Sequence, residues 1–180
     1  MDKGWQVVDR RLLVDRNPYA RVFDRDVRLP DGEVIKNFVE VDLPPFAIIF
    51  AVLEDGHVPV VRQFRMGASA YTLELPAGHL ADGEDPLEAA RRELREEAGL
   101  EAASWKSLGK YIMDANRGCG WCHSYLARGA RRIGEPQHGD LGEMSVQWLT
   151  VDEIRRAWAS GTLVSAPTTL CVGLALHALK

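Results

Sequence analysis

Short apolar runs separated by turn residues fill the first 75 positions of the chain, and helical spacing takes over after Asp85. Strands are predicted over Arg21 to Leu29 and Glu33 to Leu43, flanking Pro30-Asp31-Gly32. That tripeptide is a turn because proline presets φ and glycine accepts positive φ. The whole stretch 1–43 reads as an N-terminal β-hairpin segment, and Pro44-Pro45 separates it from residues 44–180. Phe46 to Leu53 and Val58 to Phe64 read as a second hairpin across Asp55-Gly56, a strong two-residue turn signal. Tyr71 to Leu75 reads as a short strand ending at Pro76-Ala77-Gly78.

The clearest helix begins after Asp85, a good N-cap, with Pro86 at the first helical position. Glu88 stands three residues on, where it can complete a capping box. Leu87, Ala90, Leu94 and Ala98 recur at helical spacing and form an apolar stripe, and Gly99 is the left-handed stop. Further strands are predicted over Trp105 to Met113, Trp121 to Ala127 and Ser145 to Leu149. Helices are predicted over Val151 to Ala159 and Pro167 to Leu179. Strands interspersed with a few helices give an α/β (α+β) sandwich with a mixed central sheet.

Composition narrows the functional classes. At 46% hydrophobic and 27% charged residues, 180 residues can bury a real core. A net charge of −4 argues against a broad nucleic-acid-binding surface. The longest apolar run, Phe46 to Leu53, is far short of the roughly 20 residues that a helical membrane span needs. No stretch near Met1 has the apolar core of a signal peptide, and three cysteines do not make a disulfide scaffold. The expectation is a cytoplasmic protein with reduced thiols.

The predicted helix is acidic along one side. Glu93, Glu96 and Glu97 share a face at spacings of three and four, where like charges repel by roughly 0.2–0.5 kcal/mol per pair. A charged face turned to water is the commoner meaning of such a run. Converging carboxylates are also what a hard divalent cation requires. Mg²⁺ prefers oxygen ligands and often completes its shell with substrate phosphates. Arg92, four residues from both Glu88 and Glu96, can hold a carboxylate in place.

Taken together, Gly78, Glu84, Arg92, Glu93, Leu94, Glu96, Glu97, Gly99 and Leu100 resemble the Nudix box. In that pattern glycine is followed, after five residues, by glutamate. After seven further residues come Arg-Glu, an aliphatic residue, one free position, Glu-Glu, another free position, glycine and an aliphatic residue. The resemblance implies a loop-helix-loop in a Nudix-type α/β/α sandwich that binds Mg²⁺ or Mn²⁺ and hydrolyses a diphosphate linked to another moiety. It implies Glu93, Glu96, Glu97 and the Ala77 carbonyl as metal ligands. Arg92 and Glu84 would brace the loop, with Gly78, Glu84 and Gly99 structural. Val61 to Arg65 and Glu74 to Gly78 resemble the ADP-ribose pyrophosphatase, or ADP-sugar diphosphatase, branch. From that branch come further expectations: a homodimer joined through the N-terminal segment, and Arg65, Glu74 and Gly78 near the substrate. ADP-ribose is the lead substrate. The branch also implies a later glutamate as general base, here Glu143, with Asp140 nearby or a box glutamate acting alone as the other choices.

Two features do not fit the branch pattern or stand outside it. Asp114-Ala115-Asn116-Arg117-Gly118 replaces the Ser-Pro-Gly segment of many branch members. Cys119-Gly120-Trp121-Cys122 is a single CxxC, whereas a structural zinc site needs four ligands. On a strand its two thiols point to opposite faces, so packing is the expected role. The alternatives in function are a house-cleaning nucleoside triphosphate pyrophosphatase and a non-catalytic nucleotide-sugar sensor. Retention of every box carboxylate favours the enzyme over the sensor.

Overall fold

The computed structural model describes residues 4–136 and 144–180. The chain divides into two compact units. The first comprises residues 1–45 and 112–121, the second residues 46–111 and 122–180.

In the first unit, β1 (Gln6–Arg16), β2 (Ala20–Arg28) and β3 (Val34–Asp42) form an antiparallel sheet in that order. The sequence reading separated only the second and third of these. Leu12 faces Phe23, and Val22 faces Val41. Phe23 and Val27 are buried, and the Arg10 guanidinium lies 3.4 Å from the Phe23 ring centroid. Such a cation over an aromatic face adds attraction to burial. Asp114 shapes the 114–118 turn: its carboxylate accepts the Asn116 and Arg117 N–H groups at 3.0 Å and the Arg117 guanidinium at 2.8 Å. The Val41 N–H donates to the Arg117 carbonyl at 3.0 Å, tying that turn to β3.

The second unit contains the remaining elements. They are β4 (Phe46–Leu53), β5 (His57–Arg65), β6 (Ala70–Glu74), β7 (Ala77–His79) and α1 (Pro86–Ala98). After them come β8 (Leu100–Asp114), β9 (Cys119–Arg132), β10 (Met144–Thr150), α2 (Val151–Ala159) and α3 (Ala166–Ala178), with β8 and β9 starting or ending in the first unit. One sheet has the order β7-β4-β9-β8, with β4 parallel to β9 and antiparallel to β7. A second sheet, β10-β5-β6, is antiparallel.

The hairpin expected across Asp55-Gly56 is therefore corrected. The turn is present, with Gly56 at φ 83°, but β4 and β5 belong to different sheets. The reason is burial. Ala47 to Ala51 are almost completely enclosed, as in a central strand with neighbours on both edges and both faces. The local turn signal carries no information about those partners.

Along β4 the faces alternate. Ala47, Ile49, Ala51 and Leu53 join Ala89, Ala90, Leu94 and Ala98 of α1 in one apolar cluster. Helix α3 also packs against β4, and its Cys171 thiol approaches the Ile48 carbonyl. Helices with one mixed and one antiparallel sheet thus give the α+β architecture read from the sequence. No helix among the described residues is long and apolar enough to cross a membrane.

Helix α1 starts as expected: the Asp85 carboxylate accepts the N–H groups of Leu87 and Glu88. Glu88 itself turns to Arg91 at 2.8 Å instead of closing a capping box. At the other end Gly99 is left-handed, at φ 64°, and a Cβ there would collide with the Gly134 carbonyl. A full capping box does occur at α2, between Thr150 and Glu153.

Candidate functional site

The acidic side of α1 is organised around one guanidinium. Arg92 donates to both Glu84 oxygens at 3.0 Å, to Glu93 at 2.5 Å, to Glu96 at 3.1 Å and to the His79 carbonyl at 3.0 Å. One residue thereby fixes the loop before the helix and two of its carboxylates. Among these partners, Glu84 does most to raise the Arg92 pKa. Glu84 also accepts the Ala81 N–H at 2.8 Å, which closes the loop on itself. Glu88, which stood within reach by spacing, takes no part in this network with Arg92.

Glu93 and Glu97 differ from Glu96 in being turned inward. Burial pushes the Glu93 carboxyl up, against the pull of Arg92. Burial likewise pushes Glu97 up to about 7, with the Ala77 N–H, a donor at 3.0 Å, partly offsetting it and Glu93 adding to it. Two buried acids side by side are unfavourable unless a positive charge joins them. Gly78 is the reason Glu93 can lie where it does: a Cβ on residue 78 would occupy the place of the Glu93 carboxylate.

Beside these acids lies a cavity of about 460 Å³ bordered by Arg65, Glu74, Ala77, Gly78 and Glu97. β5 brings Arg65 to it, and β6 leads through Pro76 to Ala77. Arg65 and Glu74 form a two-point pair, with Nη2 2.6 Å from Oε2 and Nε 3.1 Å from Oε1. Burial of Glu74 opposes its charge, but the bonds from Arg65 and Thr72 outweigh that and hold the carboxyl below its usual range. A larger groove of about 590 Å³ runs along the other flank of α1, past Arg91, Arg95 and Trp105. That groove takes in Glu84 and Arg92, but the smaller cavity alone brings Glu97 together with Arg65, Ala77 and Gly78 among the described residues, so the smaller cavity is the candidate site.

Whether a cation fits is answered by the donor chemistry. Glu93 and Glu97 offer carboxylate oxygens, their neighbour Ala77 a backbone one, and a hard divalent ion prefers that set. Burial makes the ionised form of both side chains costly, and a cation relieves that cost. Among the described residues no three acidic, histidine or cysteine side chains already converge as a coordination shell. Arg92 instead engages Glu93 and Glu96, and Ala77 engages Glu97. Glu143 and Asp140 lie outside the described residues.

The sequence-predicted residues Arg65, Glu74, Ala77, Gly78 and Glu97 meet at one cavity, with Glu93 against Gly78. Gln63, Thr72 and Thr168 were missed. Gln63 and Thr72 were legible in principle, because each stands two residues from Arg65 or Glu74 on the same strand face. Thr168 was not, since its partner is 93 residues away: the Leu75 N–H donates to its hydroxyl at 3.3 Å. Both residues are buried. Replacing Thr168 by Val is expected to leave that N–H unsatisfied and to cost about 1–3 kcal/mol in chemical denaturation.

The CxxC plays no visible part here. Cys119, Cys122 and Cys171 are free thiols, Cys122 and Cys171 are buried, and burial pushes Cys171 up to about 12.

Comparison with known proteins shows the family and the fold. The NUDIX domain model matches residues 43–166. The chain is 35% identical to an ADP-ribose pyrophosphatase of Mycobacterium tuberculosis over 159 residues, 85% of this chain and 74% of that protein. It is 31% identical over 158 residues to a CMP-5'-(N-acetyl-N-hydroxy-3-aminopropyl)phosphonate hydrolase of Streptomyces rubellomurinus, covering 88% and 76%. The crystal structure of an ADP compounds hydrolase superposes with a TM-score of 0.81 at 19% identity, over 98% of this chain and 95% of that one. With its box complete and the family model covering well over half of its length, the chain belongs to the Nudix hydrolase family.

Proposed function

We propose that the chain hydrolyses the diphosphate bond of a nucleoside diphosphate linked to a sugar, with ADP-ribose as the lead substrate and AMP and ribose 5-phosphate as products. The observation that carries this reading is the cavity in which the Arg65 guanidinium and the Glu97 carboxylate face a common space. A planar guanidinium matches phosphate oxygens, and buried carboxylates match a cation that accompanies them. The name of the mycobacterial relative supports ADP-ribose, and that of the Streptomyces relative keeps a cytidine nucleotide in view.

In this reading Glu93, Glu96, Glu97 and the Ala77 carbonyl hold Mg²⁺ or Mn²⁺. Bound there, the ion would neutralise phosphate charge and lower the pKa of a water. Arg92 and Glu84 keep the loop and the acids in register, and Gly78 makes room for Glu93. Arg65 binds a phosphate, and Glu74 serves substrate binding by holding Arg65. Glu143 is the proposed proton acceptor from water, and its replacement by Gln is the test. General-base loss typically costs about 10²–10⁴-fold in rate.

The segment 1–43 is proposed to join two copies into a homodimer around the catalytic domain 44–180. Val7, Val8, Leu12, Leu13 and Val14 of β1 are all exposed, an apolar surface that a second copy would cover. A reducing, cytoplasmic setting fits the three free thiols.

The deciding experiment is a substrate panel with Mg²⁺ or Mn²⁺, read by chromatography. ADP-ribose, ADP-glucose, a CMP-linked phosphonate, NADH and nucleoside triphosphates are compared. Fastest conversion of ADP-ribose to AMP and ribose 5-phosphate supports the reading. Preference for triphosphates overturns it.

A further inference from the structure

Within the β5–β6 hairpin, Gln63 pairs with Thr72 and Arg65 with Ala70, so Gln63, Arg65, Thr72 and Glu74 share one face. Thr72 and Glu74 are buried. The Thr72 hydroxyl donates to Glu74 Oε1 at 2.7 Å, while its other acceptor, the Gln63 carbonyl, is at a marginal 3.4 Å. A hydroxyl has one proton, and the shorter bond to the charged acceptor takes it. Glu74 in turn receives Arg65 through Nε and Nη2. Nη1 makes no hydrogen bond among the described residues and remains for a ligand of the cavity that Arg65 lines.

We propose that Thr72 is a positioning residue: it fixes the Glu74 carboxylate, which fixes the Arg65 guanidinium edge toward the substrate phosphate. The link to phosphate rests on the function proposed above. The link from Thr72 to Arg65 rests on the hydrogen bonds alone. A free arginine on a strand end samples many rotamers, and a two-point carboxylate removes that freedom before substrate arrives. Thr72 does the same for the carboxylate, whose Oε1 otherwise accepts, among the described residues, from Arg65 Nε alone.

The test combines Thr72→Val, Thr72→Ser, Arg65→Ala and the double variant Thr72→Val with Arg65→Ala. With ADP-ribose and saturating Mg²⁺, Thr72→Val is expected to lower kcat/KM by about tenfold, as loss of a hydrogen bond to a charged group commonly does. Thr72→Ser, which keeps the hydroxyl, is expected to stay within about twofold of wild type. In the Arg65→Ala background, adding Thr72→Val is expected to change nothing further, because the two act as one unit. A separate readout uses no substrate: ¹⁵N NMR of the Arg65 Nε–H, whose solvent exchange should quicken several-fold in Thr72→Val. An additive loss in the double variant, or unchanged Nε–H exchange, overturns the proposal. If wild type cleaves no compound in the panel, the proposed reaction fails, and Nε–H exchange alone decides whether Thr72 holds Arg65.

Discussion

Glutamine at position 97 is expected to lower kcat by about 10²–10⁴-fold, the range seen when a group acting on the attacking water is lost, without loss of stability. Catalysis suffers because a neutral amide is a poor ligand for the cation that activates the water. Stability is spared because burial already disfavours the Glu97 charge, and Gln keeps the shape and an oxygen for the Ala77 N–H. The pH dependence has a defined sign. An acid whose folded-state pKa is raised to about 7 binds its proton more tightly when folded. Its ionisation therefore costs the folded state, and stability falls as pH rises from the ordinary carboxyl value toward 7, then levels off. In chelator, denaturation of wild type should lose stability between pH 5 and pH 8 relative to Glu97→Gln. Such a gain in stability on losing function is common at active sites. Equal turnover in the variant would remove Glu97 from the chemistry.

The second large effect is expected from the smallest change. Ala in place of Gly78 needs no unusual backbone conformation, so folding should be little affected. Its Cβ would nevertheless fall on the Glu93 carboxylate, which is the free end of a flexible side chain and can swing away. Glu93 would then leave both its bond to Arg92 and its place beside Glu97. A misplacement of about 1 Å can cost on the order of 10²-fold in rate. The expected result is a kcat lower by about that factor at nearly unchanged thermal midpoint. Full activity would show that the position of Glu93 does not matter.

Much of this was legible because the signals are local. Asp85, Pro86 and Gly99 bound a helix by their own backbone chemistry, and the structure places α1 between them. The spacing of Arg92, Glu93 and Glu96 sufficed to foresee a guanidinium among carboxylates. It did not single out Glu84 over Glu88, because that choice depends on how the 79–85 loop folds back onto the helix. Sheet membership was likewise illegible. Asp55-Gly56 specifies a turn, but only burial on both faces sends β4 to β7 and β9 and β5 to β6 and β10. Thr168 shows the same limit: hydrogen bonds across distant segments leave no trace in local pattern.

The central claim is that buried glutamates of one helix hold a divalent cation beside a phosphate-binding arginine. Electron paramagnetic resonance of Mn²⁺ titrated with the protein tests it most directly. Wild type is predicted to quench the free-ion signal stoichiometrically and the Glu93→Gln, Glu97→Gln double variant to leave it free. Equal quenching by both proteins would contradict the claim.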